Sequence, residues 1–69
     1  MENMQLAQRI RAFRKLKGFT QQELAEKSGV SLALLGAVER GNRRADDQML
    51  TKIAQCLGIS LAELKSDLK

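Results

Sequence analysis

The chain has 69 residues and a net charge of +4; 43% of its residues are hydrophobic, 29% are charged and none is proline. This balance predicts one small soluble domain spanning residues 1–69, rather than a disordered segment. A single cysteine excludes an internal disulfide, the lack of histidine argues against a zinc site, and no apolar run reaches the ~20 residues that cross a membrane.

Positive charge is concentrated in the first two thirds of the sequence. Residues 1–44 hold nine Lys or Arg and four Asp or Glu, a balance of +5, whereas residues 45–69 hold three and four, a balance of −1. A basic region of this kind is expected where a protein faces a polyanion. The first ten residues lack the basic start and apolar centre of a signal peptide, which predicts a cytoplasmic protein.

Four glycines, at positions 18, 29, 41 and 58, each follow a run of residues with helical periodicity. Glycine at such a place closes the last turn of a helix in a left-handed conformation, so the pattern predicts five short helices and no strand. The first predicted helix runs from about residue 3 to residue 17, with Leu6, Ile10 and Phe13 on one apolar stripe.

The second and third predicted helices each begin after a hydroxyl residue. Thr20 is expected to cap the second helix, with Glu23 three residues on completing a capping box, and this helix ends near residues 28–29. Ser31 caps the third helix, which continues to about Arg40. The two helices are therefore short and joined by a tight turn.

A basic loop, GNRRA, leads from the third helix into the fourth. Asp46 or Asp47 is expected to cap the fourth helix. Its inner face carries four apolar residues at helical spacing: Leu50, Ile53, Ala54 and Leu57. Ser60 with Glu63 predicts another capping box for a last short helix.

Two short helices joined by a glycine turn predict a helix-turn-helix, in which the second helix of the pair enters the DNA major groove. The stretch TQQELAEKSGVSLALLGAVERG resembles the Cro/cI-type (Xre-type) family of helix-turn-helix transcriptional regulators, and the resemblance covers nearly the whole chain. The family's twenty-residue unit falls on residues 21–40. The resemblance implies an all-α, compact five-helix, lambda-repressor-like DNA-binding domain. Four turn and core anchors carry it: Ala25, Gly29, Leu35 and Val38.

The residue type at each of the four anchors has a physical explanation. Ala25 falls where the two helices cross, and a larger side chain would force them apart. Gly29 supplies a positive φ in the turn, and the two aliphatic anchors set the angle of the third helix against the core. The resemblance also implies a structural, partly buried ion pair between Arg14 and Glu39, so Glu39 is not expected to be a catalytic carboxylate.

The resemblance places contacts to the DNA backbone at the start of the second helix, and the basic loop after the third helix supplies charges that can reach phosphates. N–H groups and the dipole at a helix start favour an anion. Six residues are predicted to contact phosphate: Thr20, Gln21, Arg40, Asn42, Arg43 and Arg44. Arg40 and Lys17 are weaker candidates, and for every charged member the alternative is a solvated surface residue.

Five residues of the third helix are predicted to face the bases: Ser31, Leu32, Ala33, Gly36 and Ala37. Relatives in the family usually place Gln, Ser, Lys, Arg or Asn at several of these positions. Without Arg, Asn or Gln there, the paired hydrogen bonds that recognise guanine or adenine are missing, and contact with thymine methyl groups is left. One interpretation of Gly36 is that the missing side chain lets the helix lie deeper in the groove; tight packing against the second helix or simple drift explains it equally well.

These features predict a double-stranded DNA-binding transcriptional regulator, a repressor, that docks residues 31–40 in the major groove and is associated with the nucleoid in the cytoplasm. The alternative is a scaffold whose apolar third helix, with Leu32 and Leu34, binds another protein. No nucleophile stands beside a base and no glycine-rich phosphate loop is present. The sequence therefore predicts no enzyme, no catalytic residue, no metal and no cofactor.

Family members generally bind paired half-sites as dimers, which places their third helices about one DNA turn, ~34 Å, apart. The sequence offers five candidates for a small contact through the last two helices: Met49, Cys56, Leu61, Leu64 and Leu68. Their alternative is ordinary core packing, which is favoured for Leu61 and Leu64. We therefore expect a weak homodimer that forms mainly on DNA.

Overall fold

The structure, a computed structural model, describes residues 2–65 of the chain. This part folds into five helices: α1 (Glu2–Leu16), α2 (Gln21–Ser28), α3 (Leu32–Glu39), α4 (Asp47–Leu57) and α5 (Leu61–Lys65). No β-strand occurs within the described range, and none of its helices is long and apolar enough to cross a membrane. The predicted number and order of helices are confirmed; α1 begins and ends one residue before its predicted position.

The capping box predicted at the start of α2 is confirmed. Thr20 Oγ1 accepts a hydrogen bond of 3.0 Å from the N–H of Glu23, and Glu23 Oε1 accepts one of 2.8 Å from the N–H of Thr20. At the other end, Gly29 adopts φ +75°, and its N–H donates to the carbonyls of Ala25 and Glu26. This left-handed residue lets the chain leave α2 and begin α3 three residues later.

The other predicted N-caps are also formed, but at Ser60 the described residues show only the hydroxyl half of the predicted capping box. The side chains of Ser31, Asp46 and Ser60 each accept an N–H bond from the residue three positions further on, at 3.0, 2.8 and 2.9 Å respectively. Asp46, and not Asp47, is therefore the cap of α4. Local side-chain oxygens thus satisfy N–H groups that the first turn of a helix leaves without partners.

The core lies where all five helices meet, with α1 and α2 both packed on α3, α4 packed on α2, and α5 packed on α1 and α4. Seven side chains are fully buried there: Ile10, Leu24, Leu35, Leu50, Ile53, Leu57 and Leu64. The predicted anchors Ala25, Leu35 and Val38 have exposed fractions of 3%, 0% and 2%, so their predicted burial is confirmed. The inner face of α3 is consequently fixed by close packing on one side.

Most of the residues predicted to join two copies of the chain belong to this core. Met49 is 7% exposed, so the prediction that it forms a contact between copies is wrong. Leu64 is 0% exposed, which confirms the core packing favoured for it. Their apolar surface is already used inside the domain. Cys56 and Leu61 are partly buried and pack against the same core, and Leu68 lies outside the described residues.

A long-range contact that the sequence does not predict joins α1 to the end of α5. The guanidinium of Arg9 donates from Nε to the carbonyl of Leu64, at 2.9 Å, and from Nη2 to that of Glu63, at 2.6 Å. It also lies 5.5 Å from the ring centroid of Phe13. Because the last carbonyls of a helix have no partner within it, Arg9 acts as a C-terminal cap from another helix.

Candidate nucleic-acid interface

The predicted ion pair between Arg14 and Glu39 is present, and it joins α1 to the last residue of α3. Arg14 Nε donates to Glu39 Oε2 at 2.8 Å and Nη2 donates to Oε1 at 3.0 Å, a bidentate arrangement. A third nitrogen, Nη1, donates to the carbonyl of Phe19 at 3.0 Å. The two charged side chains are 12% and 1% exposed. Since Glu39 is buried and neutralised by its partner, its charge does not oppose an anionic ligand.

Gln21, the first residue of α2, completes this network. Its Nε2 donates to Glu39 Oε1 at 3.0 Å, so one carboxylate ties α1, α2 and α3 together. The side chain predicted to contact phosphate is thus half-buried and partly committed to a structural bond. The backbone of the same turn is a better anion ligand, because the N–H groups of Gln21 and Gln22 have no acceptor within α2.

The outer face of α3 is apolar at its start and covered at its middle. Ser31, Leu32 and Ala33 are exposed, Leu32 to 45%, and Ala37 is half-buried. Gly36 is buried beneath two side chains, so it is not itself open to the bases as predicted. The point that a Cβ on Gly36 would occupy lies 3.6 Å from Gln21 Oε1 and 3.2 Å from Nη1 of Arg40, so these two side chains cover it.

The loop after α3 carries the predicted phosphate ligands outward. Gly41 and Asn42 close the end of α3 with N–H bonds of 3.0 and 2.9 Å to the carbonyls of Val38 and Ala37 in its last turn. Asn42, Arg43 and Arg44 are exposed, and the next residue, Ala45, is buried in the core. The loop is therefore short, anchored at both ends, and cationic on its exposed side.

Residues 10–64, which contain this network, α2, α3 and the loop, match the profile of the helix-turn-helix family. The chain belongs to this family. YazB of Bacillus subtilis strain 168, an uncharacterized HTH-type transcriptional regulator, is 50% identical over 56 residues, which make up 81% of each chain. The resemblance to Xre-type regulators that the sequence motif indicates is thereby confirmed.

Two further helix-turn-helix proteins, SinR and C.AhdI, are similar to this chain and identify its fold. SinR of B. subtilis, an HTH-type transcriptional regulator, is 38% identical over 60 residues, which are 86% of this chain but 54% of SinR. The solved N-terminal DNA binding domain of SinR matches with a TM-score of 0.89 at 35% identity, over 94% of this chain and 96% of that domain. The restriction-modification controller protein C.AhdI of Aeromonas hydrophila matches with a TM-score of 0.87 at 37% identity, over 90% and 94% of the two chains. The predicted all-α fold of this type of DNA-binding domain is confirmed.

Two features of the helix-turn-helix surface escape sequence reasoning. The bond between Gln21 and Glu39 joins residues 18 positions apart and has no local signal. The approach of Arg40 to Gly36 does have a local sequence signal, because residues four apart share a helix face. The prediction that Arg40 contacts phosphate does not use this spacing. The assignments of individual residues to bases or phosphates stay predictions.

Proposed function

We propose that this chain is a double-stranded DNA-binding transcriptional repressor that inserts α3 into the major groove. One observation carries the proposal: the carboxylate of Glu39 binds both Arg14 and Gln21, which fixes the start of α2 beside α3. Two helices held in a set relation to one another are what a helix-turn-helix needs in order to contact phosphates and bases together. Its relatives named above are regulators, and one of them is represented by a DNA binding domain.

In this proposal, affinity comes from the phosphate contacts that flank α3. The N–H groups at the start of α2, beside Thr20 and Gln21, take one phosphate. The exposed loop residues Asn42, Arg43 and Arg44 take another on the other side of the groove. Leu32, with Ala33 and Ala37, then lies against thymine methyl groups. The repressor is expected to act in the cytoplasm, at the nucleoid.

A salt titration of binding tests the phosphate part of the proposal. A duplex enriched from a random pool is titrated with the protein at several salt concentrations, and log K is plotted against log[salt]. Each phosphate contact contributes about −0.9 to the slope. Arg43→Ala should therefore reduce the slope by about one, whereas Lys52→Ala, an exposed charge on α4, should leave it unchanged. A flat plot for the unaltered protein would refute the proposal.

We further propose that two copies bind together on a two-fold symmetric site, as a weak homodimer. The described core uses Met49 and Leu64 internally, so any contact must be made by other surfaces and is expected to be small. Sedimentation of the protein alone and with the enriched duplex measures this directly. Two copies should be found on the duplex, with half-sites about one DNA turn apart, and a single bound copy would contradict the dimer.

A second candidate function is supported by the exposure of Leu32, 45%, on a face with few polar atoms. In this alternative, α3 docks a protein and not DNA. Leu32→Ala should then abolish capture of that protein while Arg43→Ala should not. If α3 binds DNA instead, Arg43→Ala should lower the affinity for non-specific duplex more than Leu32→Ala does. The reason is that a loop arginine, and not an apolar side chain, supplies that affinity.

A further inference from the structure

The side chain of Arg40 lies back along α3 and covers Gly36. Nη1 of Arg40 is 3.2 Å from the point that a Cβ on Gly36 would occupy. Arg40 is nevertheless exposed, and within residues 2–65 its guanidinium makes no hydrogen bond or ion pair. The face of α3 whose only polar residue by sequence is Ser31 therefore also carries the cation of Arg40.

Gly36 makes this arrangement possible. Side chains on a helix lean towards its N-terminus, so that residue i+4 covers residue i. A methyl group at Gly36 would meet Nη1 at 3.2 Å, shorter than ordinary van der Waals contact, so the guanidinium would have to shift by a few tenths of an ångström. Glycine is unfavourable in a helix interior. At position 36 it leaves a space on the surface of α3 that the guanidinium of Arg40 occupies.

Gln21 forms the second wall of the space. Its Nε2 is held by Glu39 Oε1 at 3.0 Å, and Glu39 is held in turn by Arg14. The acceptor oxygen of Gln21, Oε1, consequently faces the same space and lies 3.6 Å from the Cβ point of Gly36. Nη1 of Arg40 and Oε1 of Gln21 thus both lie within 4 Å of the Cβ point of Gly36, and the buried ion pair sets the position of the amide.

We propose that Arg40, laid over Gly36, is the base-contacting side chain of α3 and that it recognises guanine in the major groove. This inference rests on the proposed function. The guanidinium presents a planar set of donors that matches O6 and N7 of guanine. Folding back by one turn, about 5.4 Å, carries these donors towards the N-terminal part of the helix, which contacts base edges in this class of domain. Ser31, the other polar side chain on this face, accepts the N–H of Leu34 as the cap.

Selection from a random duplex pool, followed by affinity measurements on the enriched duplex and a scrambled duplex, tests the inference. Arg40→Lys keeps the charge but loses the planar set of donors. It should reduce the preference for the enriched duplex by about 5- to 150-fold, the discrimination of one paired arginine–guanine contact, and leave scrambled-duplex affinity unchanged. Gly36→Ala, which only shifts the guanidinium, should lower the preference by a smaller factor than Arg40→Lys while its thermal midpoint rises. Lys52→Ala is the charge control and should keep the preference intact.

A double-variant cycle identifies the pathway of the effect. If Gly36→Ala acts by moving the guanidinium, then adding it to Arg40→Ala should not change the preference for the enriched duplex any further. A different result overturns the inference: Arg40→Ala lowers affinity for both duplexes equally and reduces the salt slope by about one, as a phosphate contact would. If the unaltered protein binds duplex DNA in a salt-dependent way but enriches no sequence motif, this inference is refuted and the proposed function is not. A wild type that binds no duplex refutes the proposed function as well.

Discussion

Glu39, the last residue of α3, holds Arg14 of α1 through two hydrogen bonds of 2.8 and 3.0 Å and is itself 1% exposed. The same carboxylate accepts a bond from Gln21 at the start of α2. Three helices that meet at one buried charge cannot rotate independently without breaking a charged hydrogen bond. The orientation of α3 relative to α2, which DNA binding requires, is therefore coupled to the stability of the domain.

Replacing the carboxylate should be costly. Glu39→Gln leaves the guanidinium of Arg14 buried without a counter-charge, which is expected to lower the free energy of unfolding by about 3–5 kcal/mol. Urea unfolding followed by circular dichroism measures the loss. The matched control is Asp47→Asn, which removes an ion pair with Lys65 whose side chains are 76% and 44% exposed. That change should stay below about 1 kcal/mol. Equal stabilities for the two variants would contradict the structural role of Glu39.

The cap of α2 provides a second prediction. Thr20→Ala removes the hydroxyl that accepts the N–H of Glu23, and the expected loss is about 1 kcal/mol of unfolding free energy. Thr51→Ala makes the same chemical change inside α4, where the hydroxyl donates to the carbonyl of Asp47 at 2.8 Å. Alanine is the better helix former there, so no loss is expected. Thermal unfolding of the two variants should separate them, and similar midpoints would rule out the capping role.

Two glycines should respond to alanine in opposite directions. Gly29 has φ +75° with no heavy atom within 4 Å of the Cβ point, so Gly29→Ala should cost about 1–2 kcal/mol through backbone strain. Gly36 lies inside α3 with only the flexible ends of two side chains near its Cβ point. Gly36→Ala should raise the unfolding free energy by about 0.5–1 kcal/mol. Calorimetry of both variants tests this, and a stabilised Gly29→Ala would contradict the left-handed turn.

The hydrogen bonds from Arg9 of α1 to the carbonyls at the end of α5 predict a local effect on the stability of α5. Arg9→Met keeps an apolar stem over Phe13 but removes the donors to the carbonyls of Glu63 and Leu64. The amide of Leu64, which donates to the carbonyl of the capping residue Ser60, should then exchange faster with solvent because the helix end opens more often. Arg11→Met, an exposed position on α1, is the control. Unchanged Leu64 exchange in the Arg9 variant would show that these hydrogen bonds have no effect on α5.

Sequence alone predicts the parts of this molecule that depend on neighbours along the chain. The bounds of the helices follow from side-chain oxygens that bond three residues on, as at Thr20 and Ser31. The left-handed turn at Gly29 follows from the residue itself, because glycine adopts a positive φ at little cost. The helical spacing of apolar residues likewise predicts the buried sides of Leu35 and Val38. The partnership of Arg14 with Glu39 comes from the family resemblance.

Tertiary structure decides which outward positions are really open. By spacing, Gly36 belongs to the outer face of α3, but Gln21 and Arg40 close over it. By composition, Met49 is a candidate for a contact between copies, yet it is 7% exposed. Both results depend on how α2 and α4 lie against their neighbours.

The same division applies to the polar contacts. Arg9 and Leu64 are 55 positions apart, and Gln21 and Glu39 are 18 apart. Capping and periodicity act over three or four residues and can be inferred from the order of side chains. A hydrogen bond between distant helices depends on the angle and distance at which they pack, and these are set by the whole core at once. The sequence therefore determined the helices, their ends and their buried faces, and only the packing of the helices decided which polar groups meet between them.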